Sequence, residues 1–519
     1  MEKTIADIIL FNANVLTLDH SCPRARLIAI RKDRILAISK DNNLDAFKGM
    51  NTRVMDCEGR TVLPGFNDAH CHFTAFAESL LTPDIGPSAV RSIADIQQKI
   101  NKLSLKLPPE TWIRARGYNE FYLAEKRHPS RWDLDRATSR HPVKLTHRSG
   151  HAHVLNSLAL ALVGISGTTP DPPRGFIERD LETGEPNGLL YGMQEYLAKA
   201  IPPLDNAELV RGVKLATEEL LSSGITSIQD ASPGNDARRW HMLQQWIIQG
   251  HLKCRVSMLL GVEAFKQHLQ RSLLSELSPD QFKLSGVKIV VDRTTGQLNP
   301  NQEELNRIVF EIHQSGIQAA LHAIEEPEVE ACCSALEYAL SRSPKSQHRH
   351  RIEHCSICTP MDAKRLASLE AMVVTQPAFV YYSGERYLET VPAQQLNHLY
   401  PLATLIKAGV KVAASSDCPI IPPDPRSGIY AAVTRKADNG QSVLIQEKIS
   451  VLDALQIYTL GSAYASFDEN AKGSISPGKF ADLVVLNGDP TGIAPEKIRD
   501  LRITLTMVGG EIAWASDLS

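Results

Sequence analysis

Several features are missing from this chain, and each absence narrows what it can be. No stretch of about 18 uninterrupted apolar residues occurs, so no segment is expected to span a membrane. There is no excess of charge of either sign: 56 Lys and Arg against 59 Asp and Glu leave a formal charge of −3. With no basic face, nucleic acid is not an expected partner. Low-complexity segments and long linkers are absent. The opening MEKTIADIILFNANVLTLDH carries acidic residues early and has no long apolar run before a small-residue cleavage site. It is therefore not expected to act as a signal peptide. The cysteine count is odd: nine cysteines in a chain of this size read as reduced thiols in a cytoplasmic protein. Cys355 and Cys358 form a C-x-x-C, a weak redox signal on its own.

What is present is ordinary in bulk and specific in pattern. The 519 residues, 43% hydrophobic and 22% charged, can bury a large core in more than one structural unit. The two ends look alike. ADIILFNANVLTLD and LIAIRKDRILAIS near the start, and ADLVVLNGDP and RITLTMVGGEIAWAS near the finish, have the alternation of short antiparallel strands. We expect one small composite β-sandwich built from residues 1–60 and 473–519. Between them short apolar runs recur: TVLPGF, GITSIQDAS, CRVSMLLGVE, GVKIVVD, GIQAALHAI, HRIEHCS, AMVVTQPAF and GVKVAASSD. Helical stretches such as NAELVRGVKLATEELLSSG and QEELNRIVFEIHQSG separate them. This α/β alternation predicts a parallel sheet, and eight units predict a (β/α)8 TIM barrel over 61–472. Residues 74–201 break the rhythm and are expected to be an insertion after barrel strand one that covers the mouth.

Chemistry-bearing residues sit at the strand ends. In PGFNDAHCH, His70 and His72 follow strand one, and Asp68 stands two positions earlier. Positions i and i+2 of a strand share a face, so two neutral imidazoles could reach one metal ion. Lys288 lies inside strand four, His322 closes strand five, His354 strand six and Asp417 strand eight. In a barrel these ends converge on one mouth. Four imidazoles, a carboxylate and a lysine form a nitrogen and oxygen ligand inventory. A lysine in an apolar strand tends to lose its proton. Its neutral amine can take up carbon dioxide and become a carbamate.

The order of PGFNDAHCH, VKI, LHAI, RIEHC, SSDCP and the closing GSISPGKFADLVVL resembles the amidohydrolase superfamily, in the branch called amidohydrolase family 3, the YtcJ-like metal-dependent hydrolases. The resemblance runs from Ala6 to the final strands. It implies one or two divalent metal ions, zinc foremost, and hydrolysis of an amide-like C–N bond of a small molecule through a metal-activated hydroxide. It implies His70, His72, His322, His354 and Asp417 as ligands, and Lys288 as a carboxylated bridging lysine. Asp417 and His322 are the expected catalytic residues, with Asp417 moving the proton. Asp68 reads as a supporting partner of the site or a turn residue. From the insertion, RSGHAHVLNS offers His151, beside His153, as a substrate contact; Arg386 and Tyr387 after strand seven are further substrate-binding candidates.

One departure leaves a rival open. Where relatives read H-A-I-G-D, this chain has His322-Ala323-Ile324-Glu325-Glu326. H-x-x-E resembles the signature of mononuclear zinc deaminases acting on cyclic amidines, with Glu325 as proton shuttle. The plainer reading of Glu325, with Pro327 behind it, is the start of a helix. A catalytically inactive barrel is the third alternative, and a homo-oligomer is left open.

Overall fold

The computed structural model describes residues 5–172, 175–267, 273, 275–294 and 296–516. Eight strands form one parallel sheet in chain order: Phe66–Cys71, Ile225–Asp230, Arg255–Gly261, Phe282–Val290, Gln318–Ala323, Arg351–His354, Met372–Thr375 and Lys411–Ala414. They are barrel strands one to eight. Strands three and seven are buried at every position, as a parallel sheet covered on both faces requires. Past the last strand the edges meet. Asp417 N–H donates to the His70 carbonyl at 2.9 Å and His72 N–H to the Cys418 carbonyl at 2.8 Å. The sheet is thereby nearly closed as a barrel.

The helices between strands start where capping chemistry dictates. Asn301 accepts from the Glu304 N–H to open Gln302–Gln314, which buries Leu305, Ile308, Val309 and Ile312. That spacing is one apolar stripe of a 3.6-residue helix. Thr359 and Asp362 form a reciprocal capping box at the head of Pro360–Ser368.

The run TVLPGF, expected as barrel strand one, divides instead. Thr61–Pro64 pairs antiparallel with Leu483–Leu486 and parallel with Asn14–Leu16. Barrel strand one starts at Phe66. Gly65 makes the crossing possible: a Cβ there would lie 2.3 Å from the Thr226 hydroxyl oxygen, so only a residue without a side chain passes. As a consequence, His70 lies inside strand one rather than after it, and His72 one residue beyond.

Thr61–Pro64 belongs to a six-stranded sheet that also holds Arg24–Ala25, Asn14–Leu16, Leu483–Leu486, Ile503–Val508 and Glu511–Ala515. A four-stranded sheet of Arg34–Ser39, Leu27–Arg31, Ile8–Phe11 and Arg53–Asp56 packs against it. Val15, Ile28, Ile30, Val62, Leu483 and Met507 fill the space between, giving a β-sandwich drawn from both ends of the chain.

The chain divides into two compact units. The first comprises Met1–Phe73, Val213–Asp292 and Pro300–Ser519, and so contains both barrel and sandwich. The second comprises Thr74–Gly212 and Arg293–Asn299. It has its own five-stranded sheet, in the order Phe176–Arg179, Pro186–Tyr191, Ala152–Leu155, Val143–His147, Ile113–Tyr118. One face of that sheet buries Ile113, Val143 and Leu145 with Ile96 and Ile100 of helix Ile93–Ser104. Among the described residues no helix is long and apolar enough to cross a membrane.

Candidate metal centre

The two-residue period of strand one carries through to His72. His72 Nε2 lies 3.1 Å and His70 Nε2 3.5 Å from Asp417 Oδ1. One donor atom from each of the three residues lies within 4.8 Å of the other two. Asp417 is not the end of strand eight, as expected, but three residues past Ala414 in left-handed backbone at φ +58°. His354, the last residue of strand six, is also left-handed at φ +70°. This conformation breaks the strand alternation, so that Glu353 and His354 both reach His70. Non-glycine residues in that region cost energy and concentrate at functional sites.

The remaining ligand candidates stand around this trio. Lys288 Nζ, on strand four, lies 3.4 Å from His70 Nε2. The rings of His354 and His70 have centroids 4.9 Å apart, and those of His322 and His354 4.4 Å. His322 is the penultimate residue of strand five.

Each of three imidazoles is anchored through Nδ1. His70 Nδ1 donates to Glu353 Oε2, His72 Nδ1 lies 3.2 Å from Ser232 Oγ, and His354 Nδ1 lies 2.8 Å from Gln376 Oε1. Gln376 Nε2 in turn donates to Ser415 Oγ at 3.0 Å, which fixes the amide's orientation. Asp68, read from the sequence as a supporting or turn residue, accepts from the Ser416 hydroxyl at 2.5 Å, the Ser416 N–H at 3.0 Å and the His70 N–H at 3.2 Å. It ties the Asp417 loop to strand one. Glu353, Gln376, Ser232 and Ser416 were missed in the sequence. Only Glu353 left a signal there: Arg351 and Glu353 are two opposite charges on one face of an apolar strand.

Burial sets the charge states. It pushes His354 down to about 4 and, with Lys288 nearby, His70 well below the usual imidazole range. Both are neutral, as ligands must be. Burial also lowers Lys288 to about 8, against the opposing pull of Glu353 and Asp417. For Asp417 burial acts upward, but the close approach of His72 Nε2 outweighs it and holds the carboxyl well below its ordinary range. Asp68 rises to about 6, chiefly through burial. Asp417 Oδ1 is buried and carries no well-directed hydrogen bond. An unpaired carboxylate oxygen beside two Nε2 atoms fits a divalent ion of the nitrogen and oxygen type, zinc among them.

Other expected residues lie elsewhere. His151 belongs to the second unit, in the turn before Ala152–Leu155, with Gln194 Nε2 3.3 Å from its Nδ1. His153, on that strand, is buried and its Nδ1 lies 3.3 Å from Thr146 Oγ1. Arg386 and Tyr387 are half-buried on helix Ala378–Thr390. The Arg386 guanidinium lies 4.8 Å above the Tyr387 ring, whose hydroxyl is 3.4 Å from that of Tyr400. Glu325 is the exposed N-cap residue of helix Glu326–Arg342; its N–H donates to Glu328 Oε2 at 2.9 Å. Cys355 and Cys358 are buried and unpaired. The hydrogen bond that the Cys355 thiol donates to Cys358, together with burial, raises Cys355 well above its ordinary range, the opposite of what a redox thiol needs.

The parallel eight-stranded barrel gathers imidazoles and a carboxylate at the C-terminal ends of its strands, where barrels of this kind build active sites, and it shares one compact unit with a sandwich made from both chain ends. The sequence profile described as "Amidohydrolase family" matches residues 53–513, and the chain belongs to that family. It is 28% identical to the N-substituted formamide deformylase of Arthrobacter pascens, over 98% of each chain. It is 30% identical to YtcJ of Bacillus subtilis (strain 168), a protein that carries the name of an amidohydrolase, over 89% of this chain and 90% of that one. The fold matches the crystal structure of an uncharacterized metal-dependent hydrolase from Pyrococcus horikoshii OT3 with a TM-score of 0.75, covering 94% of this chain and 99% of that one at 22% identity.

Proposed function

We propose that this hydrolase cleaves an amide-like C–N bond of a small N-acyl compound, N-substituted formamides first among the candidates. The observation that carries the reading is the convergence of His70 Nε2, His72 Nε2 and Asp417 Oδ1 on one buried point. The deformylase relative supports the formamide class.

His70, His72 and Asp417 would hold one divalent ion, zinc foremost. His354 and His322, one ring against the other, would serve that ion or a second, with Lys288 reaching both. When bound, such an ion supplies Lewis acidity and acidifies a neighbouring water. The chain's own residues do the rest. Asp417 takes a proton from the attacking water and returns it to the leaving nitrogen, and His322 shares in this proton and carbonyl chemistry. Lys288, buried and lowered to about 8, is neutral in roughly one molecule in ten at neutral pH. That amine adds carbon dioxide, forming an N–C bond and releasing a proton, to give the carbamate. His151, Arg386 and Tyr387 remain the substrate-binding candidates. The exposed, helix-capping position of Glu325 gives the deaminase reading no support.

Protein reloaded with zinc should bind one to two equivalents and release amine and formate from N-substituted formamides. Full zinc occupancy with no hydrolysis of formamides or their N-acetyl counterparts would remove the substrate class. Lys288→Ala should be nearly inactive and partly rescued by a short carboxylic acid.

A further inference from the structure

Beneath the metal candidates runs a buried polar chain that no ligand assignment uses. Glu353 and Arg351 are both fully buried. Arg351 donates through Nε to Glu353 Oε1 and, at 3.3 Å, through Nη2 to Oε2. Its Nη1 donates to Gln229 Oε1 at 2.5 Å and its Nη2 also to the Ala69 carbonyl at 3.0 Å. The guanidinium thus spans strands six, two and one and ends on the peptide just before His70. Both Glu353 oxygens accept from it, so the carboxylate meets His70 as an acceptor too.

We infer that Glu353 is a positioning residue: by holding the Nδ1–H of His70 it commits Nε2 of that ring to the ion. The inference rests on the metal reading proposed above. The three anchored imidazoles differ in one respect. His72 leans on a hydroxyl and His354 on an amide, whereas His70 alone is held by an anion. A carboxylate behind an imidazole fixes the tautomer and makes the ring a stronger donor. The geometry agrees, because His70 Nε2 is the atom that faces Asp417 Oδ1 and Lys288 Nζ. A merely structural Arg351–Glu353 pair would need no third partner on its free edge.

The test uses cobalt(II) and zinc(II) with the full chain. Glu353→Gln keeps the shape but replaces the anion, and should weaken metal affinity about 10–100-fold and shift the visible bands of the cobalt protein. Glu353→Asp, which keeps the charge, should recover part of both. Wild-type affinity together with an unchanged cobalt spectrum in Glu353→Gln would overturn the inference while leaving the metal reading intact. Should Glu353→Gln not fold, wild-type zinc protein labelled at histidine Nδ1 still decides. The His70 Nδ1 proton should be protected from exchange and lie further downfield than that of amide-held His354. Absence of the His70 proton overturns the inference. Wild-type protein that binds neither ion overturns the metal reading and this inference with it.

Discussion

Histidines gather at both ends of the barrel, and the two groups are bonded in opposite senses. At the end where strands five and six begin, His313, His348 and His350 are all buried. His350 Nδ1 accepts from the Ala319 N–H at 2.9 Å, so its proton sits on Nε2 and points at His313 Nδ1, 2.9 Å away. His313 Nε2 passes the pattern on to the Ser343 carbonyl at 2.6 Å. His348 Nδ1 accepts from the His350 N–H, and its Nε2 donates to the Leu369 carbonyl, both at 2.9 Å. Every ring nitrogen there is consumed by the fold. At the other end the partners sit on Nδ1, and the Nε2 atoms of His70 and His72 are turned toward one carboxylate oxygen. Partner placement, not residue type, separates structural imidazoles from ligand candidates.

The largest effects should come from the mouth. Asp417→Asn keeps a weak oxygen ligand but cannot carry the proton. It should lower kcat by about 10²–10⁴ with a smaller loss of metal, read by steady-state kinetics beside elemental analysis. Near-normal kcat would take Asp417 out of the chemistry.

Arg351→Met tests the support of the mouth. It strands the Glu353 carboxylate in a site with no access to water, and losing one partner of a buried pair costs about 3–5 kcal/mol. The urea midpoint should fall accordingly. A loss below about 1 kcal/mol would mean that water or another cation replaces the guanidinium.

The opposite end should separate stability from metal. His350→Phe leaves the Ala319 N–H and His313 Nδ1 unpaired, at about 1–3 kcal/mol, and should leave zinc content at the wild-type value. A fall in zinc would contradict the division between the two ends. The same variant carries a pH signature. Burial, reinforced by His348 and His313, lowers His350 well below the ordinary range, whereas an unfolded histidine titrates near 6.5. Below about 6.5 the unfolded chain therefore binds a proton that the folded chain refuses, and stability falls as pH drops. Each such histidine steepens the fall by about 1.4 kcal/mol per pH unit. For His354 the window closes at about 4. Metal-free His350→Phe should show a shallower acid slope than metal-free wild type; equal slopes would mean that His350 is protonated in the folded state.

Glu325→Gln should matter least. An exposed N-cap change should shift stability by no more than about 0.5 kcal/mol and leave kcat within about twofold of wild type. A loss of several orders of magnitude would revive the deaminase reading.

Some of the site could be read directly from the linear pattern. His70 and His72 share a face because a strand repeats every two residues. Lys288 stands out as a charge inside an apolar strand. His354 and Asp417 could be assigned to the mouth because parallel strands all point the same way. Gln376 and Ser232 could not, because a neutral polar residue after a strand looks the same whether it meets solvent or an imidazole. Glu325 resolved in favour of its local cause, the helix start, which depends only on near neighbours. His313, His348 and His350 give no sequence signal that separates them from the metal candidates, since their partners are mostly backbone groups of other elements.

By itself the sequence determined the alternation of strand and helix, the number of units, and which end of each strand carries polar residues. Those follow from periodicity, which is local. The tertiary structure decided that Thr61–Pro64 joins Leu483–Leu486 rather than the barrel, that left-handed backbone turns His354 and Asp417 inward, and which nitrogen of each imidazole is spent. These depend on hydrogen bonds between residues far apart in the chain, and such a bond exists only once closure of the barrel has brought donor and acceptor within 3 Å or so.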